Sequence, residues 1–381
     1  MTSEEEYIPV EVLHDFMKDV YMGLGYPEEE ATVSADILIE SDLRGIKSHG
    51  VQRLRYYFVR VKSGQHKVSK YEIVKDKDAA VVIDGNHGNG HFIAFSAMKL
   101  AIEKAKEYGL GMAVVRNSTH YGIAGYYPLM AIKEGCIGIT GTNARPSVAP
   151  TFGVEPMLGT NPLTFGFPTN EAFPFVLDCA TSIIQRGKVE IHARTGEPLA
   201  EGLVIGKDGK SKTDAGQLLK DFVNKEAALL ALGGAGESLS GHKGYGYSTV
   251  VEILSAALQN GKFLKELSGL DHEGNNSHFH VGHFFIAIDP EHFLGLDVFK
   301  AVAGAICRNL RNSETAPGEN RIYTAGEKEY EAEKLVREKG VPINKSIQED
   351  LIFMRDELKL EKYIFPFEKQ KNNCRKNVME G

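Results

Sequence analysis

Two histidines in this chain stand where a proton donor is useful. His49 lies between Ser48 and Gly50, at the predicted start of a helix, and His120 lies in the run STHYG, between a predicted strand and a predicted helix. The positive end of a helix favours neutral imidazole. Histidine is suited to giving a proton to a new alkoxide near neutral pH. Ser48 can cap the helix or orient the imidazole. Arg53 follows His49 by four residues, so on one helix the two share a face. A guanidinium there can grip a carboxylate through two parallel hydrogen bonds. Plainer readings stand beside these: a capping serine next to a surface histidine, and a surface ion pair for Arg53. The strand-to-helix corner of His120 is where α/β proteins hold ligands.

The stretch Gly141 to Pro168 holds five prolines and four glycines but only two charged residues, Arg145 and Glu155. A disordered linker would be more polar, and a regular helix or strand does not hold so many prolines. The composition predicts a long ordered loop packed in a core, and such loops usually carry function. The pairs Thr142-Asn143 and Thr160-Asn161, with the cation Arg145, can orient a small polar ligand. Other segments suit a phosphate-bearing ligand. Asp178 closes a predicted strand, and Cys179, Ala180 and Ser182 lead into a predicted helix. Amides at that helix start can hold phosphate while Asp178 bonds a ribose hydroxyl. His242 and Lys243, in a glycine-rich turn, offer charge to a pyrophosphate or ribose. Pro317, Gly318 and Glu319 form a turn after a helix. Each of these also reads as an ordinary turn or cap. The histidines His272, His278, His280 and His283 fall in a segment that reads as an exposed, Asn- and Gly-rich loop. They lack a zinc spacing, so no metal site is expected.

The elements that must position these groups follow from periodicity. Val10, Leu13, Phe16, Met17 and Val20 mark a first helix, Pro27 with three glutamates opens a second, and a third runs from Ser48 to Val61. Strand segments fill 68–83. From Asp84 strands and helices alternate: helices over His91–Tyr108, Gly122–Glu134, Thr181–Arg194, a buried one over Tyr247–Leu258, and Val298–Leu310; strands over Gly111–Val115, Cys136–Thr140, Leu163–Phe167, Phe175–Asp178 and Phe284–Ile288. A final helix spans Ser346–Leu360. This is an α/β layer pattern, with no GxGxxG after a strand. The net charge of −7 argues against a general nucleic-acid binder. No apolar run is long enough to span a bilayer, and the acidic start MTSEEEY is not a secretory signal. The scattered cysteines Cys136, Cys179, Cys307 and Cys374 predict thiols in a reducing compartment, so a cytoplasmic location.

Seven pieces besides the long loop recur in a familiar order: Ser48-His49-Gly50, DGNHGNG from Asp84, NSTHYGIAGYY from Asn117, LDCATS from Leu177, RGKVE from Arg186, GHKGYG from Gly241 and PGE from Pro317. With Gly141–Pro168 they resemble the type 2 malate/L-lactate dehydrogenases, a family that includes ureidoglycolate dehydrogenase, sulfolactate dehydrogenase and diketogulonate reductase. The resemblance covers roughly residues 8 to 345. It implies a non-Rossmann, mixed-sheet, three-layer α/β core with an N-terminal helical segment. Residues 1–83 would form that segment, 84–325 the cofactor-binding domain, 326–367 the returning C-terminal helices and 368–381 a disordered tail. The implied activity is hydride transfer between a 2-hydroxy acid and a nicotinamide cofactor, NAD or NADP. Malate to oxaloacetate comes first; lactate, sulfolactate and ureidoglycolate are rivals, and a cyclic imine a more distant one. His49 or His120 would be the acid/base, Arg53 and Arg145 would hold carboxylate, and Asn143 would orient the carbonyl. Asp178, Cys179, Ala180, Ser182, His242, Lys243, Pro317, Gly318 and Glu319 would contact the cofactor. A homodimer is implied, with the active site near the subunit interface. The competing class is a metal-dependent hydrolase or lyase built on the histidine-rich loop.

Overall fold

The computed structural model describes residues 6–368; the expected tail, from 369 on, and Cys374 lie outside them. Two compact units divide the chain, 69–312 forming one and the residues on either side of it the other.

The outer unit begins with β1 (Glu6–Ile8), α1 (Val10–Gly23), α2 (Glu28–Leu43), a 3-10 turn at Val51–Arg53, and α3 (Leu54–Lys62). In α1 the helical spacing of Leu13, Phe16, Met17 and Val20 produces one fully buried stripe. α2 starts after Pro27 with Glu28, Glu29 and Glu30 in its first turn, where carboxylates favour the positive helix end. The chain returns to this unit through α10 (Glu327–Lys339), β11 (Val341–Ile343) and α11 (Lys345–Glu357). β1 and β11 pair antiparallel. Their apolar residues join one core with Phe16, Leu38, Leu54, Leu351 and Phe365.

The central unit runs β2 (Glu72–Lys77), β3 (Ala80–Asp84), α4 (Gly90–Tyr108), β4 (Leu110–Ser118), α5 (Tyr126–Lys133), β5 (Ile137–Thr142), β6 (Leu163–Phe167), β7 (Phe175–Cys179), α6 (Arg186–Thr195), β8 (Val204–Gly206), α7 (Ala215–Asn224), β9 (Ala227–Leu229), α8 (Gly241–Leu254), β10 (Val281–Ile288) and α9 (Leu296–Arg311). Seven strands make one mixed sheet in the order β2-β3-β4-β10-β5-β6-β7. β3 and β4 are parallel; β10 lies antiparallel between β4 and β5; β6 and β7 continue antiparallel. Helices cover both faces, giving the expected three layers. Val251 and Leu254 of α8 pack on one face with Val82, Val114, Ile139 and Phe284. On the other, α4 and α5 press so closely that a Cβ at Gly111 would lie 2.0 Å from Ala101 O, and one at Gly138 2.6 Å from Pro128 Cα. A satellite core of Val148, Leu158, Val189, Val204, Leu218 and Leu229 joins the long loop to α6, α7 and the β8–β9 pair.

Four expectations change. The helix read from Thr181 starts at Arg186, because Ser182 is held instead in a β-bridge to Ala231. The helix read from Gly122 starts at Tyr126, since Gly122 takes φ +80°. The apolar run from Tyr247 is a surface helix: Tyr247, Val250 and Ile253 are about half exposed, at 59%, 48% and 56%. His283 is not in an exposed loop; it lies in β10 and is fully buried.

Candidate active site

The outer unit holds the Ser-His-Gly segment. His49 occupies the turn between α2 and the 3-10 helix and is partly buried. Ser48 Oγ lies 2.8 Å from His49 Nδ1, so the serine orients the imidazole. No side chain caps the 3-10 helix, whose N-cap is Gly50. Arg53 folds back, donating from Nε to Ser48 O at 2.8 Å. The His49 pKa is held down at about 4, by burial first and by the Arg53 guanidinium second. The predicted direction is right, but its main cause is desolvation rather than a helix end. The segment rests on a residue that the sequence reading missed. Asp42, in α2, accepts from Val51 N at 2.7 Å, and a Cβ on Gly50 would lie 1.9 Å from its Oδ1. This carboxyl is 5% exposed, and burial pushes its pKa up to about 7. Its signal was available: an acid four residues after the buried Leu38, on the apolar face of a helix. Pro317, Gly318 and Glu319 also belong to this unit. They form the expected turn, Glu319 N donating to Ala316 O at 3.0 Å, and all three are exposed.

In the central unit, topology gathers most of the remaining candidates at one end of the sheet's strands. β3, β4, β5 and β7 all end there, and β6 and β10 begin there, as the register Asp84–Arg116, Val281–Ser118, His283–Thr142, Gly141–Leu163 and Leu163–Cys179 requires. His120 follows the end of β4, partly buried, its Nδ1 accepting from Gly122 N at 3.3 Å. The loop after β5 is mostly half-buried, anchored where Val148 bridges Leu158 and Leu229, while Phe152 stands out 80% exposed. Arg145 in that loop is exposed and has no ion-pair partner among the described residues.

Asn143 is tied to the backbone around it. Its side chain is 1% exposed; Oδ1 accepts from Gly282 N at 2.8 Å and Nδ2 donates to Lys262 O at 3.3 Å. An amide so engaged holds backbone on both sides, with the second N–H of Nδ2 beyond the Lys262 bond. Asn161 is likewise buried, its Oδ1 accepting from Ala144 N and its Nδ2 donating to Glu252 Oε2 at 2.8 Å. Glu252, also missed, takes Leu264 N at 2.8 Å on its other oxygen, and burial raises its pKa.

Asp178 lies in β7, one residue before its end at Cys179. Its Oδ2 accepts from Gly125 N at 2.7 Å and its Oδ1 from Thr164 Oγ1 at 3.1 Å, while the residue stays exposed on its outer side. Cys179 and Ala180 are partly buried. Thr181 ties this corner to the long loop through Thr160 O and Asn161 O. Ser182 is 5% exposed and its Oγ has no hydrogen-bond partner among the described residues, an orphan that a polar ligand would satisfy. His242 and Lys243 are not in a free turn; they are exposed in the first turn of α8. A glycine cradle surrounds that helix start: a Cβ at Gly241 would lie 2.0 Å from Gly234 O, and one at Gly244 2.0 Å from Leu232 O. Tight backbone, a helix N-terminus and an exposed lysine suit a phosphate-bearing cofactor. Of the four histidines suspected as ligands, His278 and His280 lie beside His87, rings 4.1 and 4.6 Å from it. No group of three His, Cys, Asp or Glu among the described residues has metal-binding geometry.

Known proteins share this arrangement over nearly the whole chain. The profile of the malate/L-lactate dehydrogenases matches residues 8–352. A malate dehydrogenase of Pyrococcus horikoshii is 42% identical over 91% of this chain and 95% of its own length. An L-sulfolactate dehydrogenase of Methanocaldococcus jannaschii is 38% identical over 91% of this chain and 96% of its own. The crystal structure of malate dehydrogenase from Entamoeba histolytica superposes with a TM-score of 0.90 at 43% identity, covering 95% of this chain and 100% of that one. With the mixed sheet, the Ser-His-Gly turn and the His120 corner already in place, these matches over the same span show that the chain belongs to the malate/L-lactate dehydrogenase family.

Proposed function

We propose that this dehydrogenase interconverts malate and oxaloacetate with NAD or NADP, as a homodimer in the cytoplasm. The observation that carries the reading is the one end of the sheet's strands to which topology brings His120, the loop bearing Arg145, and the corner from Asp178 to Ser182. The choice of malate is supported by two relatives at 42% and 43% identity that are malate dehydrogenases. Arg53 and Arg145 are each suited to a carboxylate, and malate has two. Lactate and sulfolactate are the nearest alternatives.

The chain's own groups have these parts. His49 or His120 takes the hydroxyl proton as malate is oxidised and returns it in the reverse direction. Neutral imidazole is the form that accepts a proton, and burial keeps His49 neutral down to about pH 4. Ser48 fixes that ring through Nδ1. Asn143 holds the loop and would orient the carbonyl of the acid through the remaining N–H of Nδ2. Asp178, Cys179, Ala180 and Ser182 would hold the ribose and phosphate side of the cofactor, with His242, Lys243 and the Pro317, Gly318, Glu319 turn as further contacts. When bound, the nicotinamide exchanges a hydride with C2 of the acid. The free thiols of Cys136, Cys179 and Cys307 support a reducing compartment, and no helix among the described residues is long and apolar enough to cross a membrane.

The test is the absorbance of the reduced nicotinamide, with oxaloacetate, pyruvate and other 2-oxo acids offered against NADH and NADPH. Consumption with oxaloacetate is expected. Consumption only with another acid discards malate and keeps the chemistry; none with any pair, from folded protein, overturns the reading. Single His49→Ala and His120→Ala variants then assign the proton: the true acid/base loses about 100- to 10,000-fold in kcat.

A further inference from the structure

β10 starts under strain. His280 takes φ +54°, a conformation that non-glycine residues seldom adopt. A register shift separates Val281 from His283, and a Cβ on Gly282 would lie 1.8 Å from Ser255 O. Backbone of this kind persists where surrounding contacts hold it, and the residue that follows is a buried imidazole. His283 is 0% exposed. Its Nε2 lies 2.8 Å from Ser118 Oγ and its Nδ1 2.7 Å from Thr142 Oγ1. Its ring stacks on Tyr121, centroids 4.6 Å apart and planes 3° from parallel. Ser118 and Tyr121 bracket His120, and Thr142 precedes Asn143 and the long loop.

We propose that His283 is a positioning residue for the hydroxy-acid reaction: it fixes the corner that presents His120 and joins it to the loop that carries Arg145. The inference rests on the function proposed above and deepens it. The direction of the hydrogen bonds follows from the partners. The Thr142 hydroxyl has two good carbonyl acceptors, Asn143 O and Gly282 O, each at 2.9 Å, whereas the Ser118 hydroxyl has only Thr119 O at 3.5 Å; this favours Thr142 accepting from Nδ1–H of His283. The ring then accepts at Nε2 from the Ser118 hydroxyl. Ser118, His283 and Thr142 thus form one directed chain across β4, β10 and β5, with the imidazole neutral in a single tautomer. Burial holds its pKa down at about 3, so the ring stays neutral throughout the working range.

The test uses the full chain. His283→Phe keeps the stacked ring and removes both hydrogen bonds; Ser118→Ala keeps the imidazole and removes one. Expected for both are a retained fold by circular dichroism, a cofactor Kd from equilibrium dialysis within threefold of wild type, and a kcat loss of about 10- to 100-fold, the scale of a small misplacement near the reacting atoms. His283→Gln, which can still bond on one side, should recover part of kcat. The double variant should lose no more than His283→Phe alone, because the two changes break the same link. Nitrogen-15 shifts of His283 should report neutral, Nδ1-protonated imidazole from about pH 5 upward. A folded His283→Phe with kcat within twofold of wild type overturns the proposal. If that variant does not fold, Ser118→Ala with unchanged kcat overturns it equally. A wild type inactive on every 2-oxo acid is a different failure, since it sinks the parent reading before any variant is compared.

Discussion

At the scale of single residues, the Ser-His-Gly turn shows why each member has its identity. Serine points at Nδ1, histidine carries the titrating ring, and glycine leaves room for Asp42. Gly50→Ala therefore drives a methyl into a buried carboxyl. It should destabilise the fold by about 1–3 kcal/mol in urea unfolding, as overpacking does. It should also lower turnover by shifting His49, while Ser48→Ala should lower turnover with stability nearly intact. Asp42 itself makes stability pH-dependent. Its folded pKa of about 7 lies above the ordinary carboxylate value of 3.8, so between those pH values the native chain holds a proton that the unfolded chain has released. Its contribution is full below about pH 4 and is lost as pH rises through about 7. Asp42→Asn keeps an oxygen for Val51 N and removes the titration. Denaturant midpoints should then fall less steeply between pH 5 and 7 in the variant than in wild type; equal slopes would show that Asp42 does not titrate there.

At the scale of elements, the long loop is held by a brace rather than by its prolines alone. Asn161 and Leu264 N both reach the buried Glu252 of α8. Glu252→Ala leaves those donors unsatisfied and should cost about 1–3 kcal/mol, with faster proteolytic cleavage between residues 143 and 162. A loop as protease-resistant as in the wild type would show that the prolines suffice. Much of this layer was legible in the sequence. The anchoring of the loop through Val148 and Leu158 agrees with its lack of charge, although most of its residues are only half-buried; β6 has the bounds expected of it, and α1 shows the stripe that its spacing dictated. What was not legible is what each element packs against. The run from Tyr247 is apolar enough to read as buried, yet only one side of α8 finds the sheet. Ser182 reads as a helix start until Ala231, distant in sequence, claims it for a bridge. His283 follows an Asn- and Gly-rich stretch and reads as loop, because the two strands that enclose it lie more than a hundred residues upstream.

At the scale of the whole molecule, the motifs could be read from the sequence and the family followed, but strand order could not. The insertion of β10 between β4 and β5 brings segments spread from Asp84 to His283 to one end of the strands, and no local pattern encodes that pairing. The same limit applies to association. α9 carries an apolar stripe: Val298, Val302, Ile306 and Leu310, each four residues after the last, are 50%, 56%, 56% and 53% exposed. Phe293 and Leu294 just before the helix are 66% and 84% exposed. Contiguous apolar surface of this kind is a sign of an interface, and a second copy of the chain would cover it through a self-complementary patch. Sedimentation equilibrium should return twice the chain mass for wild type. Val302→Asp combined with Ile306→Asp places two charges in the middle of the stripe, where a paired face would have to desolvate them, and should shift the species to the monomer without altering the helical circular dichroism signal. A variant that stays dimeric would move the interface to another face, such as the exposed side of α8 with Tyr247, Val250 and Ile253; a monomeric wild type would remove the dimer altogether.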